Sequence, residues 1–277
     1  MHCLFHRYWH TSVTRDNEKF ITGRTDYMDS EREMSTSMTM DVHALRIEEA
    51  QLRQYRGPGE IDRDNQNIAG LQGVVAYLDS GPQLREGLQQ VKDPIGASLF
   101  AETVRGVVQA ESYLFKERGY TSPEAYTKYW EGMYTESCRY YGNLDRVRVS
   151  WGDYVGYHNR EVELFTRFKS QHLYKSGSDS YLVMGGLSDS FHEMSVCLKM
   201  DGQNMNVISA EGSLTRVPDS VCRESVDYLQ YLSGKNLAGM TKKEIAGLLG
   251  KGQGCIHLID VASDAADTLR LFMRKDS

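Results

Sequence analysis

Hydrophobic and polar positions follow two rhythms along this chain, and the change falls near Val162. Before it, apolar residues recur at helical spacing. Leu99, Phe100, Val104, Val107 and Leu114 fall on one face of a helix that Asp93 can cap and Pro94 can open, with Gly119 as its stop. Ser122-Pro123-Glu124 has the composition of a second helix start, which the pattern carries to about Tyr141 before Gly142-Asn143. A shorter helix is expected over residues 42–55, ended by the breaker Gly57-Pro58-Gly59. Residues 71–78 are a short apolar segment closed by Ser80-Gly81-Pro82.

After the change, apolar and polar positions alternate. Val162, Leu164, Thr166 and Phe168 share one face of an expected strand. Residues 181–187 read as a second strand. Met194, Val196, Leu198 and Met200 line one face of a third, and residues 205–210 follow the Asp201-Gly202 turn. Such a meander predicts an antiparallel sheet. Helices come next. One begins near Asp219, with Cys222, Val226, Leu229 and Leu232 on its apolar face and Gly234 at its end. A second opens with the capping box Thr241…Glu244. The last follows the glycine-rich loop at 250–254, with Leu258, Val261, Ala262, Ala265, Leu269 and Phe272 as its buried stripe.

The expected fold class is therefore α+β. An antiparallel sheet with helices on one face occupies residues 161–277, preceded by a mainly helical, tyrosine-rich region at 41–160. Residues 1–40 carry scattered charges and no evident buried stripe, so they are expected to be a disordered leader. The bunching of Met28, Met34, Met38 and Met40 is compatible with a true start inside that stretch. His2, His6 and His10 have the spacing of one helix face, a possible metal-binding set that a disordered leader does not use.

Charge narrows the function classes. A formal net charge of −6 tells against a nucleic-acid partner, which usually meets a basic face. No apolar run approaches the roughly 18 residues of a membrane span, and no signal-peptide core follows the N-terminus. Five cysteines are an odd number, which argues against a disulfide framework and for a cytoplasmic protein whose thiols bind metal or react.

The segment around the second helix is rich in Tyr126, Tyr129, Trp130, Tyr134, Tyr140 and Tyr141, with Trp151, Tyr154 and Tyr157 beyond it. These rings suit a pocket for a small, flat ligand. They equally suit an amphipathic helix with a bulky core face.

Four candidate ligands sit at element ends: His192 before a strand, Cys222 in a helix's first turn, and Cys255 and His257 at the start of another. Helix N-termini stabilise thiolates, and thiolates bind zinc or iron or attack electrophiles. Asp189 and Glu193 add carboxylates nearby. The expected protein binds zinc or iron through His192, Cys222, Cys255 and His257. The alternative is a lyase or transferase, metal- or thiolate-dependent, with Asp189, Glu193 and Arg216 beside a small, possibly aromatic, substrate.

The same residues carry a resemblance. Asp189-Ser190-Phe191-His192-Glu193-Met194, then Arg216-Val217-Pro218 with Cys222, Leu232-Ser233-Gly234-Lys235, and Gly254-Cys255-Ile256-His257-Leu258 resemble, in order and spacing, an uncharacterised bacterial family, the domain-of-unknown-function family 2889. The likeness spans residues 182–271 and implies no known activity. In layout the stretch is also distantly similar to NifU/IscU-type iron–sulfur scaffold proteins, with Ile256-His257-Leu258 and Ala262-Ser263-Asp264-Ala265 on the closing helix. That likeness implies a scaffold-like domain in which His257 and Cys222 match ligands and His192 stands near a third. Leu258 replaces the last scaffold cysteine, and Cys255 lies on the other side of the histidine. The departure favours a mononuclear site over a cluster.

Overall fold

The structure is a computed structural model that describes residues 1–58, 65–156, 160–177 and 179–275. Its strands are β1 (His2–Arg15), β2 (Phe20–Asp29), β3 (Glu33–Asp41), β4 (Ile47–Arg56), β5 (Gln66–Asn67), β6 (Glu163–Lys175), β7 (Ser180–Asp189), β8 (Glu193–Asp201) and β9 (Val207–Arg216). Its helices are α1 (Gly81–Gly87), α2 (Pro94–Ala110), α3 (Pro123–Met133), α4 (Trp151–Val155), α5 (Lys242–Leu248) and α6 (Ile256–Lys275). The strand order is β5-β4-β3-β2-β1-β6-β7-β8-β9, with β2–β3–β4–β5 and β7–β8–β9 antiparallel.

This corrects the expected fold class. The N-terminal region is rich in strands, not mainly helical: β1 to β3 fill the stretch expected to be a disordered leader, and β4 replaces the helix expected over 42–55. The physical reason lies in what the strands bury. Phe5, Arg7, Trp9, Thr11 and Val13 alternate inward along β1, and Thr25 and Thr36 are buried on β2 and β3. Buried polar residues erase the hydropathy contrast on which a strand pattern depends. Their polarity is satisfied internally: Thr25 Oγ1 lies 3.0 Å from Thr11 Oγ1 and 2.8 Å from Thr103 Oγ1, which is 3.1 Å from Thr36 Oγ1. Over 42–55, Val42, Leu45, Ile47, Ala50 and Leu52 are buried, but Leu45 from a loop at φ 55° and Ile47, Ala50 and Leu52 from a strand.

The later elements match their expectations more closely. Asp93 caps α2 by accepting from the N–H groups of Ile95 and Gly96, and the Thr241–Glu244 capping box opens α5. Met194, Val196, Leu198 and Met200 are buried on β8. Leu164 is buried as expected, but from Phe165 on the face of β6 is the reverse of the expected one: Phe165 and Arg167 are buried while Phe168 is 55% exposed, and Val162, just before the strand, is 64% exposed. Burial of Arg167 is possible because its Nη1 meets Glu102 Oε1, also buried, at 3.4 Å. The helix expected from Asp219 is a run of 3₁₀ turns, Ser220–Leu232, capped by Asp219. Gly59 and Tyr157 lie outside the described residues.

The chain divides into two compact units. One comprises Met1–Tyr8, Thr127–Tyr154 and Lys169–Ser277; the other comprises Trp9–Tyr126 and Val155–Phe168. Each is built on the same plan. Asp29-Ser30-Glu31-Arg32-Glu33-Met34-Ser35 and Asp189-Ser190-Phe191-His192-Glu193-Met194-Ser195 occupy matching turns between β2 and β3 and between β7 and β8. Phe20 pairs with Asp41 as Ser180 pairs with Asp201, and bulges fall at Glu33/Met34 and Thr39/Met40 as at Glu193/Met194 and Lys199/Met200. Leu45 and Met205 take the same left-handed conformation. A helix then covers each half-sheet: α2 packs on β2 and β3, α6 on β7 and β8. The chain is an internal repeat of one sheet-and-helix module.

Candidate functional site

The turn between β7 and β8 holds the site, and Asp189 holds the turn. Its Oδ1 accepts from the main-chain N–H groups of Phe191 at 2.8 Å and His192 at 2.7 Å. Arg216, at the end of β9, donates through Nη1 to the Asp189 carbonyl at 2.6 Å and through Nη2 to Ser188 Oγ at 3.2 Å. The carboxylate is thus held by the turn's own N–H groups, and Arg216 anchors the main chain beside it. His192 Nδ1 lies 3.2 Å from Asp189 Oδ1. An ionised carboxylate only accepts, so in this contact the imidazole is the donor. His257 arrives from α6, as its second residue, and its ring lies 4.0 Å from that of His192, centroid to centroid, at 34°. Asp189, His192 and His257 are all buried, and one ligand atom from each lies within 4.8 Å of the other two.

Aromatic rings back this turn. Trp151 sits edge-on to Phe191 with centroids 5.0 Å apart, and the Tyr154 hydroxyl donates to the Phe191 carbonyl at 2.5 Å. The rings singled out on the preceding helix are placed elsewhere. Tyr126 is buried in the other unit, 3.5 Å from Ser112 Oγ through its hydroxyl; Trp130 stacks on Tyr134 at 4.2 Å; Tyr129 is exposed.

Of the expected ligands, His192 and His257 come together, joined by Asp189 in place of a cysteine. Cys222 and Cys255 fall outside the group. Both are free and buried in the hydrophobic core of their unit. Burial pushes each thiol up to about 12, against the smaller opposing pull of nearby main-chain N–H groups, and Cys138 close by adds to the rise. The expected thiolate-favouring helix start is thus outweighed by desolvation. Glu193 is exposed, with an oxygen 3.9 Å from Arg216 Nε. Arg216 itself serves the Asp189 turn. Asp260, one turn beyond His257, is buried and paired with Lys242 Nζ; sequence reasoning passed over it.

The internal repeat separates what the turn needs from what the site adds. In the other unit, Asp29 Oδ1 accepts from Glu31 N–H at 2.7 Å and Arg32 N–H at 2.6 Å, and Arg56 Nη2 donates to the Asp29 carbonyl at 3.0 Å. Aspartate and arginine therefore build the turn in both units. Arg32 stands where His192 does, and α2 contains no histidine. The two imidazoles belong to one copy only. A comparison of the chain with itself would have isolated them.

A family model described as a protein of unknown function, DUF2889, matches residues 157–270, the stretch that carries all three residues. No curated protein and no solved structure matches the chain. No helix among the described residues is long and apolar enough to cross a membrane.

Proposed function

We propose that this protein binds a divalent transition-metal ion, zinc or iron, through His192, His257 and Asp189. The observation that carries the reading is the convergence of two buried imidazoles and a buried carboxylate to within 4.8 Å from a turn and a helix far apart in sequence. Two nitrogens and one oxygen are a borderline donor set that suits zinc and iron(II). No sulfur joins the group, so a mononuclear ion fits these residues better than an iron–sulfur cluster.

Three protein groups leave coordination positions open, which favours a catalytic over a closed structural ion. That supports a second reading, a metal-dependent lyase or transferase on a small substrate, with Trp151, Tyr154 and Phe191 behind the site. The thiolate-dependent version draws no support from thiols raised to about 12. All five cysteines are free, which supports a cytoplasmic location.

Elemental analysis of the full chain, purified without a histidine tag and incubated with zinc or iron(II), tests the site. The wild type should retain, after gel filtration, one equivalent that His192→Ala and His257→Ala each lose. Retention of that ion in the double variant would remove the reading.

A further inference from the structure

Cys3 and His6 on β1 and His172 on β6 form a second convergent group, within one unit and with ligand atoms all within 4.8 Å of one another. We propose that these three residues are an open binding site for a borderline-soft divalent ion of the zinc type. The site rests on its own residues and does not depend on Asp189, His192 and His257.

Strand alternation puts the two histidines in reach of solvent, and Cys3 is exposed. Arg7, the neighbour of His6, is buried toward α6, where its Nη1 donates to the Asp264 carbonyl at 3.3 Å and to Thr268 Oγ1 at 3.2 Å. Successive side chains point to opposite faces, so His6 stands on the face away from α6. His172 stands likewise between buried Gln171 and Leu173. The two rings meet edge to face, 6.3 Å between centroids. Cys3 lies near the beginning of the strand, and its Sγ is 3.8 Å from His6 Nδ1.

The chemistry fits the spacing. Bonds of about 2.3 Å to sulfur and about 2.0–2.1 Å to nitrogen put tetrahedral donor atoms about 3.3–3.6 Å apart. Only small side-chain rotations are needed from the distances present. One thiolate and two imidazoles select a softer ion than the buried nitrogen and oxygen set does. The Cys3 thiol gives its proton to water on binding, and a water molecule or a further ligand completes the fourth position. Exposure matters here: the ion and any fourth ligand reach this site without opening the fold.

Cobalt(II), added to the reduced, metal-free full chain, is the probe. The wild type should take up two equivalents and show a sulfur-to-cobalt charge-transfer absorption in the near ultraviolet. Cys3→Ser and His172→Ala should each remove that band and one equivalent, while His192→Ala keeps the band. A band that survives Cys3→Ser, or that never appears at saturating cobalt, overturns the proposal. Failure of the buried site reads differently: the wild type then takes one equivalent and retains the band.

Discussion

The imidazoles of His192 and His257 lie 4.0 Å apart, centroid to centroid, although one ends a hairpin turn and the other sits in the first turn of α6. The hairpin turn is stapled by Asp189 and Arg216, and α6 is packed on β7 and β8, so both rings are carried by elements that the chain's own contacts hold. Pre-positioned ligands make metal binding a stability term. At zinc concentrations about 100 times the dissociation constant, binding should raise stability by about 2.7 kcal/mol. Thermal melts with and without zinc should show a shift in the wild type that His257→Ala reduces by that amount.

Asp189→Ala and Asp29→Ala form a matched pair. Each removes a carboxylate that accepts two main-chain N–H groups in the same turn. Both should cost about 1–3 kcal/mol in urea unfolding. Only Asp189→Ala should weaken metal binding. Equal loss of metal in the two variants would show that the aspartate acts through the fold alone.

Thiol reactivity should follow burial. With the Cys222 and Cys255 thiols pushed up to about 12, about one molecule in 10⁵ carries either thiolate at neutral pH. Exposed Cys3 should therefore alkylate far faster than both. Zinc should slow the labelling of Cys3 and leave the rates at Cys222 and Cys255 unchanged. A mass-spectrometric time course reads all of these rates in one sample.

Gly185 sets the distance between β7 and α6. A Cβ there would meet the Gln171 side chain at 2.5 Å and Val261 Cγ1 at 2.8 Å. Gln171 has little freedom to yield, because it is buried and its Nε2 donates to the Val261 carbonyl at 2.9 Å. Gly185→Ala should destabilise by about 1–3 kcal/mol. It should also weaken metal binding by shifting α6, and with it His257. Gly132→Ala, where a Cβ meets open space, is the control.

Asp219 should make stability fall in acid. Burial works against its charge, but the N–H groups of Val221, Arg148 and Val149 outweigh that and hold the carboxyl below its ordinary value. A depressed folded value means the contribution is complete above the unfolded value near 3.8 and is lost as pH falls through the folded one. Urea midpoints taken from neutral pH to about pH 3 should drop less steeply for Asp219→Asn than for the wild type. That variant should start from a lower midpoint at neutral pH.

Local chemistry was legible wherever a residue does its job through its own neighbours in the chain. The Asp93 cap, the element start near Asp219, the Thr241–Glu244 box, the β8 alternation and the α6 stripe all depend on side chains within a few positions of one another. His192 and His257 were legible as candidates because they stand at element ends. The N-terminal strands were not, because Arg7, Thr11, Thr25 and Thr36 are buried there and a hydropathy pattern takes polar residues to be outside. Only tertiary structure decides that Arg167 finds Glu102, or that Thr25 finds Thr11 and Thr103, which makes their burial tolerable. The ligand set was decided in the same way. A helix start favours a thiolate, but the core around Cys222 and Cys255 removes the water and desolvation outweighs that pull, and the fold brings Asp189 to the histidines instead.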